Sequence, residues 1–408
     1  MVSNIQKRKE YQDTERALLK RLFGVENCTD LDTDLTHYHV VRDPKGGIRW
    51  LFPMGSEGRI FLSLYNPNTI RGRFLKSALR VGTYTPALVP NIISHQILPD
   101  YFLSPLKNLM AHRNLTDWAL FTGTPGNMRK GVFALGTKGK AQYFLKVPCS
   151  PETVQKLDNE LQVCQAIYDQ LPKSIHIPKA EKNPHLEGIL LSNVKPRRID
   201  RISSFPNPAL DWLSTFCSST EEESINLKVH FLKELSKKRT TIDISHFRSN
   251  FNQQQINEVL SAWDILFEEL TEADHLQFMF SHGDFTPWNM YQNRQELYLY
   301  DFEMAGMHTA WYDLFHFHYQ KGILLSRIPF QKIHAQVSAF QDTPLIRGWL
   351  NYHDQSWRTY HLAYLLKIGI DYLARYAHET DHVVQTYWII DLLHEAYNNF
   401  TRTWKPQS

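Results

Sequence analysis

The opening residues, 1–24, place apolar positions at helical spacing within heavily charged sequence, which predicts a helix with a wide solvated face. The period then changes. In GGIRWLFPMGSEGRIFLSLYN (46–66) two apolar, aromatic-rich arms flank Gly55 and Gly58, and the pattern predicts a β-hairpin. NTIRGRFLKSALRVG (68–82) returns to helical spacing and stops at Gly82. Residues 83–105 carry four prolines and predict a connecting stretch, with a helix or loop running on to about residue 115.

From residue 117 to 148 short apolar runs alternate with glycine-bearing turns, which predicts antiparallel strands joined by short loops. SPETVQKLDNELQVCQAIYDQL (150–171) follows as a helix. Ser150 suits its N-cap, Pro151 its first position and Glu152 its positive end, and the apolar stripe is Val154, Leu157, Leu161, Cys164 and Tyr168. LEGILLSNVKP (186–196) predicts one more buried strand. After residue 205 the pattern is mainly helical, in PALDWLSTFCS, NQQQINEVLSAWDILFEELTEA, YHLAYLLKIGIDYLARYA and DHVVQTYWIIDLLHEAYNNFTRTW. Only NMYQNRQELYLYDF interrupts it, as a short hairpin. The fold class is therefore α+β. An N-terminal appendage (1–115) precedes a mixed β/α unit (116–195) and a larger helical unit (196–408).

Composition narrows the function classes. A chain of 408 residues exceeds one small core, and 42% apolar residues with 13% aromatics suffice for compact packing. The net charge of +3 lacks the basic excess of a dedicated nucleic-acid binder. The four cysteines, Cys28, Cys149, Cys164 and Cys217, match neither metal-ligand nor redox spacing and read as reduced thiols. The N-terminus has no apolar signal core, and no apolar run approaches the roughly 18 residues a bilayer span needs. A cytoplasmic protein without a transmembrane segment is expected; the sequence is silent on its oligomeric state.

The chemistry concentrates in SHGDFTPWNM (281–290), followed by DFEMAG from Asp301. In the predicted hairpin the two arms run side by side, so Asn289 and Asp301 can converge. Their oxygens are hard ligands that suit Mg²⁺ holding a triphosphate. Asp284 is better placed to accept a proton from an incoming hydroxyl or to orient it. That arrangement suits phosphoryl transfer, in which positioning and charge neutralisation do most of the work. Pro287 stiffens the loop between them. Upstream, Lys146 lies in the apolar strand YFLKV and needs an opposite charge; Glu160 on the next helix lies within reach of it. A Lys146–Glu160 pair holding the α- and β-phosphates of ATP accounts for both. TGTPGNMRKG (122–131), with Gly123 and Gly126, can bring backbone N–H groups close to phosphate oxygens.

HGDFTPWN, DFEMAG and WYDL, in that order, resemble the aminoglycoside phosphotransferase and choline kinase family of protein-kinase-like small-molecule kinases. The resemblance spans roughly residues 117 to 400. It implies a bilobal protein-kinase-like fold with a small antiparallel β/α nucleotide lobe and a larger helical lobe. It makes Asp284 the catalytic base or orienter and Asn289 and Asp301 the metal ligands. Lys146 and Glu160 become the nucleotide-lobe pair, and the segment from Leu190 through Ser192 to Val194 the hinge beside the adenine. His282 and Asp313 brace the catalytic loop. The glycine-rich turn departs from the kinase Gly-x-Gly-x-x-Gly pattern, which leaves its individual contacts open.

Blander readings stand beside these. Lys146 can be a snorkelling strand-edge lysine, Glu160 a solvent-facing helix charge, and the glycine-rich turn an ordinary hairpin connection. Glu303 suits a second metal or a structural hydrogen bond equally. Arg71, Arg73, Lys76 and Arg80, like KPRRIDR (195–201), read as solvated surface, and HFH (316–318) as helix surface. Trp357, Tyr360, His361 and Tyr364 read as core. The reading is an ATP- and Mg²⁺-dependent phosphotransferase acting directly on a hydroxyl of a small molecule. A sugar or sugar-linked acceptor is preferred over an amino alcohol or aminoglycoside, because the helical region mixes acids with His, Arg and aromatic residues. The alternatives are a pseudokinase scaffold and a kinase-like enzyme that modifies protein.

Overall fold

The computed structural model describes residues 35–42, 47–55, 57–64, 74, 76–80, 93–99, 104–123, 129–183, 185–196, 199, 202, 204–216, 220–242, 253–273, 275–377 and 390–398. The helix expected over 1–24 lies outside them, as do most of the one expected over 68–82, whose residues 76–80 are helical, and Gly126. The chain forms two compact units, one of residues 1–170 with 177–195 and one of residues 171–176 with 196–408.

The first unit is built on one sheet. Its strands are β1 (Leu35–Arg42), β2 (Ile48–Pro53), β3 (Ile93–Pro99), β4 (Asp117–Phe121), β5 (Lys130–Thr137), β6 (Lys140–Pro148), β8 (Ala180–Asn183) and β9 (Gly188–Ser192). They lie in the order β3-β1-β2-β4-β5-β6-β9-β8, every neighbouring pair antiparallel. Alternation along the strands feeds both faces. Trp118, Leu120, Phe133 and Leu135 pack on one side with Leu106 and Met110 of helix α1 (Ser104–His112). Ala119 and Ala134 pack on the other with Trp50, Phe52, Ile60 and Phe61. Helix α2 (Pro151–Ile167) covers β9 through Leu157 against Ile189 and Leu191. Its start carries the capping anticipated from Ser150, whose Oγ accepts the Thr153 N–H while the Thr153 hydroxyl accepts the Ser150 N–H at 2.9 Å.

Two expectations upstream of residue 115 give way. The second arm of the predicted hairpin is a 3₁₀ helix, Glu57–Ser63. Ile60 and Phe61 are consecutive and both fully buried in one cluster, with Phe61 stacked on Phe52 at 4.3 Å. A strand would send consecutive side chains to opposite faces, whereas a helical turn lets both reach the same cluster. The stretch expected to be connection holds strand β3, which among the described residues pairs only with β1; Pro99, its last residue, is tolerated at such an edge. The strands between residues 35 and 99 thus lie in the same sheet as those after residue 115.

The second unit is mainly helical: α3 (Pro208–Thr215), α4 (Glu221–Thr241), α5 (Gln253–Glu272), α6 (Tyr312–Gln320), α7 (Phe330–Ser338), α8 (Pro344–Tyr352) and α9 (Trp357–Ala377). Two small sheets interrupt it. Strand β10 (Phe278–Ser281) pairs with β13 (Gly306–Thr309). The expected hairpin of β11 (Met290–Asn293) and β12 (Glu296–Leu299) forms, and β12 also takes up β7 (Ile175–His176) in parallel. The HFH segment departs from expectation. It lies in α6, a helix whose every residue from Tyr312 to Gln320 is buried. The helix survives in the interior because its polar ends have partners there, among them Gln320 to Tyr372 at 2.6 Å and Tyr319 to His361 at 2.7 Å. Trp357, Tyr360, His361 and Tyr364 are core, as their helical spacing indicates. Among the described residues no helix is long and apolar enough to cross a membrane.

Candidate active site

In the first unit, Lys146 stands on β6 opposite Val132 and Ile189. Its ammonium lies 2.8 and 2.6 Å from the two carboxylate oxygens of Glu160 on α2, and Glu160 has no solvent exposure. The strand is apolar around Lys146 and the helix face apolar around Glu160, so each charge compensates the cost of burying the other. Gly123 adopts φ +76° where β4 turns towards β5, and a Cβ there would stand 2.3 Å from the Lys130 carbonyl oxygen. Only glycine fits that turn. Leu190 is buried on β9, in register with Leu145 and Glu181. The Ser192 hydroxyl accepts the Lys179 N–H at 2.8 Å, and the Ser192 N–H donates to the Lys179 carbonyl at 2.9 Å.

In the second unit, the loop from Ser281 to Asn289 is held from below by Asp313, a carboxylate with no solvent exposure. It accepts the backbone N–H of His282 at 2.7 Å, that of Gly283 at 3.0 Å and the indole N–H of Trp212 at 2.9 Å. Three donors on one buried carboxylate account for its tolerance as an anion. Gly283 has φ +78°, and a Cβ there would lie 2.0 Å from the Met304 carbonyl oxygen, so the residue between His282 and Asp284 must be glycine. His282 is also fully buried; its Nε2 donates to the Tyr300 carbonyl at 2.8 Å and its Nδ1 accepts the Asp284 N–H at 3.3 Å. The imidazole therefore ties the backbone carrying Asp284 to the residue just before Asp301.

Asn289 donates through Nδ2 to the Asp284 carbonyl at 3.0 Å and to Asp284 Oδ2 at 2.8 Å. Both amide hydrogens face Asp284, which leaves the Asn289 carbonyl oxygen as the outward donor atom. Asp301 is half-buried at φ +70°, close enough that its charge works against that of Asp284. An amide oxygen beside two mutually repelling carboxylates is a donor set that fits a hard divalent cation such as Mg²⁺. Burial pushes the Asp284 carboxyl up; the hydrogen bond from His316 and the electrostatic attraction of the His316 and His282 imidazoles outweigh it and hold the group below the ordinary aspartate value.

The structure thus brings His282, Asp284, Asn289, Asp301 and Asp313 together in one unit, and Lys146 with Glu160 in the other. Two contacts escaped the sequence. His316 Nε2 lies 3.2 Å from Asp284 Oδ1, and Trp212 bonds to Asp313. A signal for His316 existed: it follows Asp313 by three residues on one helix and so shares its face.

The model of the phosphotransferase enzyme family matches residues 232–360, the segment that contains HGDFTPWN, DFEMAG and WYDL. That match covers the segment on which the resemblance read from the motifs rests. Among solved structures, the chain is similar to the ADP-bound aminoglycoside phosphotransferase APH(2'')-Ib at 14% identity, covering 72% of this chain and 98% of that one with a TM-score of 0.47. It is similar to the ethanolamine kinase of Plasmodium vivax at 12% identity, covering 74% and 88% with a TM-score of 0.45. The choline kinase LicA of Streptococcus pneumoniae matches at 14% identity, covering 73% and 98% with a TM-score of 0.43. No curated protein matches the chain.

Proposed function

We propose that the protein is an ATP- and Mg²⁺-dependent phosphotransferase that moves the γ-phosphoryl group to a hydroxyl of a small molecule. The observation that carries the reading is the Asp284 carboxylate. It is about one-third exposed, fixed through Oδ2 by Asn289 and held below its ordinary pKa, so it stays ionised and accessible to an acceptor. An ionised carboxylate in that position accepts a hydrogen bond from the acceptor hydroxyl, aims its lone pair at phosphorus and takes up its proton. The new bond joins the acceptor oxygen to the γ-phosphorus, the bond to the β–γ bridging oxygen breaks, and ADP leaves with that electron pair.

Asn289 and Asp301 are the residues that would hold Mg²⁺, which when bound neutralises charge on the triphosphate. Lys146, aligned by Glu160, serves the α- and β-phosphates, Gly123 permits close backbone approach, and Leu190 and Ser192 lie in the segment beside the adenine. Residues 116–195 thereby carry nucleotide recognition and residues 196–408 catalysis and acceptor binding. A cytoplasmic setting, where Mg·ATP is abundant, suits this activity. A sugar or sugar-linked hydroxyl compound is the favoured acceptor, since the helical unit mixes acids with histidine, arginine and aromatic side chains instead of presenting the uniform acidity that suits a polycation.

The experiment is mass spectrometry of small molecules from a cell extract incubated with the purified protein and Mg·ATP. A product heavier by one phosphoryl group and absent with Asp284→Asn supports the reading. An adenylyl increment, or a phosphoryl group found only on protein, overturns it.

A further inference from the structure

We infer that His316 is a positioning residue for Asp284, and that Tyr364 fixes the imidazole in the state that does this; the inference rests on the phosphotransferase reading of Asp284. A carboxylate held at one oxygen can still turn about that contact. Asn289 holds Oδ2 at 2.8 Å, and His316 Nε2, at 3.2 Å from Oδ1, closes the remaining freedom. The two partners differ in kind. Asn289 belongs to the loop and is itself assigned to the cation, whereas His316 sits on α6, 7% exposed and packed between the rings of Tyr312 and Tyr364.

The proton arrangement follows from the acceptors present. An ionised carboxylate only accepts, so the proton stands on Nε2 of His316. Nδ1 then accepts the Tyr364 hydroxyl at 3.4 Å, and burial keeps that phenol protonated. Tyr364 is fully buried on α9, so the chain from Tyr364 through His316 to Asp284 runs from the core of the unit out to the carboxylate. Both bonds are long for their type, as hydrogen bonds around a reacting group often are before substrate draws the site together.

The same helix thus fixes the loop twice. Asp313 secures the backbone at His282 and Gly283, and His316, one turn further on, secures the side chain that follows. A histidine that only filled space would show the same burial and ring contacts, so the test must read more than stability.

Transfer from γ-labelled Mg·ATP to a small-molecule extract and to water is measured for the wild type, Asp284→Asn, His316→Leu, His316→Gln and Tyr364→Phe. Loss of a positioning contact of this kind costs roughly a hundredfold in kcat. His316→Leu is expected to show that loss with the KM for Mg·ATP within about twofold of wild type. His316→Gln, whose amide N–H replaces Nε2, is expected to recover about tenfold or more of it, with Tyr364→Phe falling between. Wild-type kcat in His316→Leu, or equal impairment of the Leu and Gln variants, overturns the positioning role. Where His316→Leu does not fold, His316→Gln decides: kcat within about tenfold of wild type at unchanged KM supports the role, and loss of kcat in a folded protein overturns it. Wild-type transfer by Asp284→Asn, or none by the wild type, overturns the phosphotransferase reading and the role of His316 with it.

Discussion

Asp313 accepts the backbone N–H of His282 at 2.7 Å from a position with no solvent exposure, so the loop carrying Asp284 rests on a buried carboxylate as well as on the packing of Phe285 against Trp212 and Phe317. Replacing Asp313 with Asn puts an amide where one oxygen accepted, and leaves at least one of three buried donors without a partner. The expected cost is roughly 2–4 kcal/mol of stability, read as a lower urea midpoint, with transfer falling as well. An unchanged midpoint would show that the loop holds without this carboxylate.

The Lys146–Glu160 pair separates stability from binding. Either Glu160→Gln or Lys146→Met leaves a buried charge uncompensated, which costs about 3–5 kcal/mol in comparable pairs. The double variant Lys146→Met/Glu160→Met removes both charges and is expected to recover most of that stability. All three variants should bind Mg·ATP much more weakly by calorimetry. Near-wild-type nucleotide affinity in the stable double variant would return the pair to a purely structural role.

Much of this was legible in the chain. Lys146 and Glu160 betrayed themselves because a charge in an apolar strand or on an apolar helix face demands a partner, and β6 and α2 are consecutive elements. Asn289 and Asp301 were brought together by a hairpin whose period-2 arms are plain. What hid was governed by packing between distant segments. Nothing near Trp212 announces that its indole will meet Asp313, 101 residues away. His316 looked like surface because HFH is polar at two of three positions, and only the tertiary arrangement reveals that α6 runs through the interior. The segment Glu57–Ser63 misled for a related reason: its apolar residues satisfy strand propensity, but their burial in one cluster selects a helical turn.

Two buried histidines make the second unit sensitive to acid. Burial, with Lys321 opposing and Gln336 supporting the charged form, lowers His318 to about 4. Burial, with His334 and Arg358 nearby, lowers His361 to about 3, and its Nε2 faces the Tyr319 hydroxyl. Both pKa values lie below that of an unfolded histidine, so the unfolded chain binds more protons and stability falls as pH drops from 6.5 towards 4. Each contributes on the order of 2 kcal/mol of that loss at pH 5. The thermal midpoint should therefore decline between pH 7 and 5, and His318→Phe should lessen the decline. An identical pH profile in that variant would remove His318 from the account.

Asp301 is assigned to the cation, so Asp301→Asn should weaken Mg·ATP binding while leaving metal-free nucleotide binding closer to wild type, and EDTA should abolish transfer by the wild type. Calorimetric titrations with and without Mg²⁺ check both. Equal Mg·ATP affinity in wild type and variant would take Asp301 out of the cation site.

Asp284 is proposed to direct a small-molecule hydroxyl to the γ-phosphorus of ATP. The most direct measurement incubates wild type and Asp284→Asn with γ-labelled ATP, Mg²⁺ and a small-molecule extract, then partitions the label among small molecules, protein and free phosphate. Label on a small molecule with the wild type alone, and Mg·ATP affinity largely retained by the variant, is the expected result. Equal transfer by both proteins, or label confined to protein, would contradict it.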